Sequence, residues 1–140
     1  MNKSSTFSKR LYRFAWYHLP AILFALVIII VSSIPNLQAP RVVAIAFDKI
    51  AHLLEYAIFS VLIFRSFSHW DVTSRPTRTF LFSALFLSLF AVFDEFYQKL
   101  IPGRNTDPLD IIADLSGALL VLIVLGLRRR WSQKASSNCS

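Results

Sequence analysis

The sequence predicts an all-α membrane bundle of four transmembrane helices with both termini in the cytoplasm. Three observations carry this. Hydrophobic residues make up 55% of the 140 residues and charged ones only 16%, against about 25% charged in a soluble domain. The apolar residues fall into four long runs, each near the roughly 20 residues a helix needs to cross about 30 Å of hydrocarbon. The basic residues gather just outside those runs, where they act as a topology signal.

The first run covers Ala15–Ile34 and opens with Trp16 and Tyr17, placed for an interfacial aromatic belt. Its basic start also suits a signal peptide, but no small-x-small cleavage site follows it, so the segment is expected to stay as a helix. The second run covers Asp48–Phe67, the third Thr79–Leu100 and the fourth Pro108–Leu127. Helices are expected because lipid offers no partner to an open backbone group, and the period-2 alternation of barrel strands is absent. The Pro35–Phe47 connection has room for a short interfacial helix opened by Pro40. The Ser68–Arg78 connection is polar. In the short Ile101–Asp107 connection, Pro102-Gly103 suits a type II turn, since proline fixes φ at the first corner and glycine supplies positive φ at the second. The third and fourth helices should therefore form a tight antiparallel hairpin. The plan is a basic cytoplasmic arm (1–14), a membrane domain (15–127) and a basic cytoplasmic tail (128–140).

The net charge is +7, a balance often met in nucleic-acid-binding proteins. Its distribution argues against that partner. Lys3, Lys9, Arg10 and Arg13 precede the first run, and Arg128, Arg129, Arg130 and Lys134 follow the last. Such residues orient the bundle and meet anionic lipids. The middle loops differ by only one or two basic residues, so the two ends carry the orientation. The single cysteine, Cys139, builds no internal disulfide framework, is not followed by a prenylation box and receives no role.

The acids are the informative residues. All but Asp71 lie in three places: Asp48 and Glu55 at the start of the second run, Asp94 and Glu95 toward the end of the third, and Asp107, Asp110 and Asp114 around the start of the fourth. In the expected orientation all three places are at the outer leaflet. A charge in hydrocarbon costs at least ~2.5–3.5 kcal/mol, so such groups face one another or a wet cavity. Asp48, His52 and Glu55 share one helix face at i, i+4 and i+7; Asp94 and Gln98 are at i and i+4; Asp107, Asp110 and Asp114 are at i, i+3 and i+7, a stripe that Gly117 extends. The three stripes should converge inside the bundle.

Some of these residues have ordinary structural roles open to them. Asp107 before Pro108 reads as an N-cap with proline at N1, and Asp110 would then be N3, where an acid favours the helix dipole. Asp48 reads equally as an N-cap. Lys49 and Lys99 suit snorkelling. Arg104 reads as a loop charge, as a partner of Asp94 or Glu95, or as a ligand-anion contact. Glu55 and Asp114 lie about two turns inside their helices, beyond capping. Of the adjacent Asp94 and Glu95, about 100° apart on a helix, Asp94 is expected to face the cluster. Small residues Ala113 and Gly117 permit close helix packing, within the chain or between copies in a homo-oligomer.

These residues resemble the motifs of the VanZ-like family: Asp48-Lys49-x-x-His52 opening a helix, Asp94-Glu95-x-x-Gln98, Pro102-Gly103-Arg104, then Asp110, Asp114 and Gly117, with Ser32-Ser33-x-Pro35 closing the first helix. The family often has a small polar residue where Asp114 stands. The resemblance covers about Ser32 to Gly126. It implies a small bacterial cell-envelope protein of the cytoplasmic membrane, and its namesake is associated with resistance to teicoplanin-type glycopeptides.

Two functions follow. In the first, an outer-leaflet site of Asp48, Lys49, His52, Asp94, Glu95, Gln98, Arg104 and Asp114 binds an amphiphile or lipid-linked cell-wall precursor, or alters access to it, with membrane lipids as partners and Arg104, Lys49 and His52 meeting a phosphate-bearing head. In the second, an enzyme acts on a lipid-linked substrate. A divalent cation on Asp48, His52, Asp94 and Asp114 would polarise an oxygen, or His52 oriented by Glu55 or Asp48 would be a general base, with His52, Glu55 and Asp94 the catalytic candidates. A proton pathway is disfavoured, because the inner halves of the helices are expected to lack ionisable residues. A purely structural cluster would leave too much negative charge unbalanced.

Overall fold

Four helices run in order: α1 (Lys3–Ser32), α2 (Val43–Ser68), α3 (Pro76–Gln98) and α4 (Pro108–Ser137). They belong to a computed structural model that describes residues 3–35, 43–70, 75–104 and 107–137. The suggested interfacial helix at Pro40, together with Arg41, Asp71 and Cys139, lies outside the described residues. Among the described residues there is no strand, and each helix contains a stretch long and apolar enough to cross a membrane: Ser8–Ser32, Phe47–Ser68, Pro76–Gln98 and Pro108–Ser132. The chain is a multi-pass membrane protein.

The helix surfaces bear this out. On α3 the buried stripe is Thr79, Ser83, Leu87, Ala91, Asp94, Glu95 and Gln98, while Leu81, Leu85 and Leu89 are exposed on other faces. Small and polar side chains point inward and leucines outward, the reverse of a soluble amphipathic helix and the pattern expected where lipid replaces water. The core is aromatic. Phe59 of α2 is fully buried, with its ring 5.1 Å from Phe90 and 5.9 Å from Phe24. Tyr56, Ile28, Leu87 and Leu122 complete this layer.

α2 is the central helix, touching all three others, and it packs most extensively on α4. Gly117 sets that approach. A Cβ built there would collide with the backbone carbonyl of Leu53, so only glycine allows the two backbones this close. The small-residue pair expected at Ala113 and Gly117 is thus used, at Gly117, within the chain.

Local signals explain the ends. Gly103 has φ 78°, and the Arg104 N–H donates to the Ile101 carbonyl at 3.2 Å, as a type II turn on Pro102-Gly103 requires. α4 starts at Pro108, and the Asp107 carboxylate accepts from the Leu109 N–H at 3.0 Å, an N-cap with proline at N1. α2 begins at Val43, earlier than its first polar residue suggested. Asp48 therefore sits in the second turn and is not an N-cap. α1 and α4 continue as helix into the basic arm and tail.

Pro20 lies inside α1. Having no N–H, it leaves the Trp16 carbonyl, four residues earlier, without its helical donor. Arg65 of α2 supplies one: its guanidinium donates to the Trp16 carbonyl at 3.1 Å and lies 5.5 Å and 5.3 Å from the Trp16 and Tyr17 ring centroids. Arg65→Met should therefore destabilise the bundle by about 1–3 kcal/mol, the cost of an orphaned carbonyl. In a Pro20→Ala background the helix provides its own N–H, so the same substitution should cost clearly less by reversible unfolding in detergent. Equal costs in both backgrounds would mean that Arg65 serves something other than this carbonyl.

Candidate functional site

The acids converge at the bundle end opposite both termini, in two linked halves. One half joins α1 to α3. Asp94, 2% exposed, accepts through Oδ2 from the Ser32 hydroxyl at 2.9 Å and from Gln98 Nε2 at 3.0 Å. Beside it, Ser33 donates to the Ile29 carbonyl at 2.6 Å, so its 2.8 Å contact with the Tyr97 hydroxyl has the tyrosine as donor. Arg104 reaches back from the turn and donates to the Val31 carbonyl at 2.8 Å. It makes no ion pair with Asp94 or Glu95. The Val31 carbonyl, in the last turn of α1, also accepts from the Ile34 N–H at 3.1 Å, and its second lone pair gives the guanidinium a partner that spacing alone does not reveal.

The other half joins α2 to α4. Lys49 contacts Asp107 at 2.8 Å and Asp48 at 3.7 Å, and is bonded directly to Asp110. It does not snorkel outward; the facing start of α4 presents carboxylates that hold it. Asp110, expected chiefly as a dipole partner at N3, is buried and ion-paired. One turn inward, His52 Nδ1 lies 3.0 Å from Asp114 Oδ1. A carboxylate can only accept, so Nδ1 carries a proton and donates to Asp114. Outside the membrane-spanning segments, the hydrogen bond from Lys49 holds Asp107 below the ordinary aspartate range, helped by the Leu109 N–H.

Glu95 lies between the halves, 8% exposed. It is buried along with its neighbour Asp94, although only one of the two was expected to face inward. α3 is covered on two sides, by α4 and by α1 with α2, so residues 100° apart both find cover. Glu55 is half-buried on α2, within electrostatic reach of His52, Asp94, Asp114 and Arg104. The expected metal set does not assemble as a unit. The ligand atoms that gather within 4.8 Å of one another are those of Asp48, His52 and Asp110; Asp94 is turned to Ser32, and Asp114 stands behind His52.

Several buried polar atoms here have no partner among the described residues: Asp94 Oδ1, Glu95 Oε1, Arg104 Nε and the Tyr56 hydroxyl. Buried polar groups are nearly always hydrogen-bonded, so unpaired ones call for an explanation. Tyr56 was missed in the sequence, although it stands at i+4 from His52 and shares its face. So was Tyr97, three residues after Asp94.

A family model described as VanZ/LLP1 matches residues 2–129. The chain belongs to this VanZ-like family. The match extends beyond the Ser32–Gly126 stretch that carries the motifs and takes in all of α1 and most of α4. No curated protein and no solved structure matches. The family motifs map onto the geometry coherently: the acids of the DKxxH and DExxQ segments and of the α4 stripe meet at one end, and Ser32 of the SSxP segment bonds directly to Asp94.

At the end with the termini a second polar layer ties the helices. His18 Nδ1 and the Ser66 hydroxyl are 2.6 Å apart, and Arg129 donates to Ser68 at 2.7 Å and Thr79 at 2.9 Å. His18 and Arg65 lie within the membrane-crossing stretches, so those halves are not free of ionisable residues as expected. Between the two polar ends the buried polar side chains are Ser60 and Ser83 among core residues such as Phe59, Leu87 and Leu122, and they form no titratable relay.

Proposed function

We propose that the chain is a bacterial cell-envelope protein of the cytoplasmic membrane, oriented with both termini inside, whose outer-leaflet polar end binds an amphiphile such as a lipid-linked cell-wall precursor. Binding there alters access to the precursor, consistent with the link between the family's namesake and glycopeptide resistance. The observation that carries this reading is the set of unsatisfied buried atoms: two carboxylate acceptors, Asp94 Oδ1 and Glu95 Oε1, and two donors, Arg104 Nε and the Tyr56 hydroxyl. A head group rich in hydroxyls and amides offers both kinds of partner. Lys49, His52 and the Arg104 terminal nitrogen already have protein partners, so a phosphate is not the group this site is best prepared to meet.

The test uses the full chain purified in mild detergent. Glu95→Gln removes a buried charge that has no ion-pair partner among the described residues and keeps an oxygen to accept the Asp107 backbone hydrogen bond, so it should leave the melting temperature unchanged or raise it. The same substitution, and Asp94→Asn, should lower the amount of co-purifying amphiphile in native mass spectra at least tenfold. Retention of the amphiphile by both folded variants would overturn the proposal.

One observation favours a second reading. Asp48, His52 and Asp110 offer ligand atoms within 4.8 Å of one another, and two ligands of one calcium-sized ion lie at most about 5.2 Å apart. Asp114 on Nδ1 would orient the imidazole as carboxylates do behind metal-bound histidines. A divalent cation held there would serve an enzyme acting on a lipid-linked substrate. Stoichiometric metal lost in His52→Ala and Asp48→Asn would favour this reading over the first.

A further inference from the structure

The other end of the bundle carries a groove that the proposed outer site does not use. It opens between the start of α3 and the end of α4, with a volume of about 240 Å³, lined by Thr77, Phe80, Ile123, Gly126, Leu127 and Arg130. Its walls are apolar and lie within the membrane-crossing stretches. Its rim is polar: Arg130 donates to the Thr77 hydroxyl at 3.0 Å. Gly126 adds no side chain to its wall, and a Cβ there would meet the Phe80 ring at an ordinary 3.5 Å.

We propose that this groove binds an anionic phospholipid, with one acyl chain along Phe80, Gly126 and Leu127 and the head group on Arg130 and Thr77. Charge complementarity commits the groove to this occupant. Among the described residues every acid lies at the opposite end, while Arg75, Arg78, Arg128 and Arg130 surround this one. The apolar wall would be wasted on a soluble anion, and the basic rim on a neutral lipid tail. The volume is below the roughly 300–1,000 Å³ of pockets that enclose a drug-sized ligand, so it suits a segment of one chain and not a whole amphiphile. Arginine offers several donors, so Arg130 can hold Thr77 and a phosphate oxygen together. α3 has no side-chain cap at Arg75, which leaves its positive end facing the same head group.

The experiment titrates the full-length protein in detergent with phosphatidylglycerol or phosphatidylcholine of identical chains and counts bound lipids by native mass spectrometry. Wild type should bind phosphatidylglycerol at least fivefold better. Arg130→Gln should abolish that preference, lowering phosphatidylglycerol binding more than phosphatidylcholine binding, since both head groups carry a phosphate but only one has a net charge. Gly126→Leu, which fills the groove, should lower binding of both lipids. Should Gly126→Leu fail to fold, Thr77→Val takes its place and should weaken the head-group preference alone. A wild type without preference, or an Arg130→Gln variant that keeps the preference, would overturn the proposal. So would displacement of phosphatidylglycerol by millimolar inorganic phosphate, because a site for the bare anion does not need the groove.

Discussion

Gly117→Ala is expected to separate α2 from α4 and to dismantle the polar end with them. The added Cβ would run into the Leu53 carbonyl. That neighbour is backbone, so no side-chain rotamer relieves the clash, and Leu53→Ala should not rescue it. Inserting even one carbon into a packed interior costs typically 1–3 kcal/mol, and the upper end, about 3 kcal/mol, is expected where backbone must move. The site should suffer beyond stability. Leu53 follows His52 directly, and Asp114 precedes Gly117 by less than one turn, so the shift that relieves the clash lengthens the 3.0 Å contact between His52 and Asp114. The imidazole resonances of His52, followed by NMR against pH, should then approach those of His52 in an Asp114→Asn variant. Gly126→Ala is the internal control. Its Cβ meets the Phe80 ring at an ordinary 3.5 Å, and alanine is favoured over glycine in a helix by about 1 kcal/mol, so this variant should be as stable as wild type or slightly more so. If both alanine variants melt alike, Gly117 does not set the approach of α2 to α4.

The contrast between these glycines shows what the sequence could and could not disclose. Hydropathy and length were enough for four membrane-crossing helices, because lipid leaves the backbone few alternatives. Asp107-Pro108 and Pro102-Gly103 were legible because capping and turn chemistry are local. The gathering of acids was legible from three helical stripes. The pairing within it was not. Which carboxylate Lys49 takes, or whether Glu95 joins Asp94 inside, depends on the rotation of each helix about its axis, and that is set by distant packing. Arg65 shows this most clearly. Beside the Ser68–Arg78 loop it reads as one more topology charge, yet its partner is a carbonyl freed by Pro20 on another helix. The start of α2 is hidden for a related reason: Val43–Phe47 carries no capping signal, and the first polar residue, Asp48, lies a turn inside the helix.

Lys49→Met should produce the largest loss at the polar end. Lys49 is the cation shared by Asp48, Asp107 and Asp110. Breaking a buried pair by removing one partner costs about 3–5 kcal/mol, since the other charge is left alone. Here Asp48 and Asp107 are 48% and 39% exposed and can be solvated, whereas Asp110 is 5% exposed and cannot. The expected loss is therefore about 3 kcal/mol, borne mostly by Asp110. Adding Asp110→Asn should recover most of it, because removing both charges of a buried pair is often nearly neutral. The acid profile offers an independent check. Lys49 depresses the folded-state value of Asp107, so this pair's contribution is fully present above the unfolded aspartate value of about 4. It is lost as pH falls through the depressed value. In Lys49→Met that part of the acid destabilisation should disappear, and an unchanged profile would mean that the pair contributes nothing. The same variant separates the two functional readings. If the polar end holds a divalent cation, the Lys49 ammonium competes with it for Asp110, and its removal should tighten metal binding. If the end holds an uncharged, donor-rich head group on Asp94 and Glu95, removing Lys49 should leave metal binding absent and reduce amphiphile binding only as far as the fold is weakened.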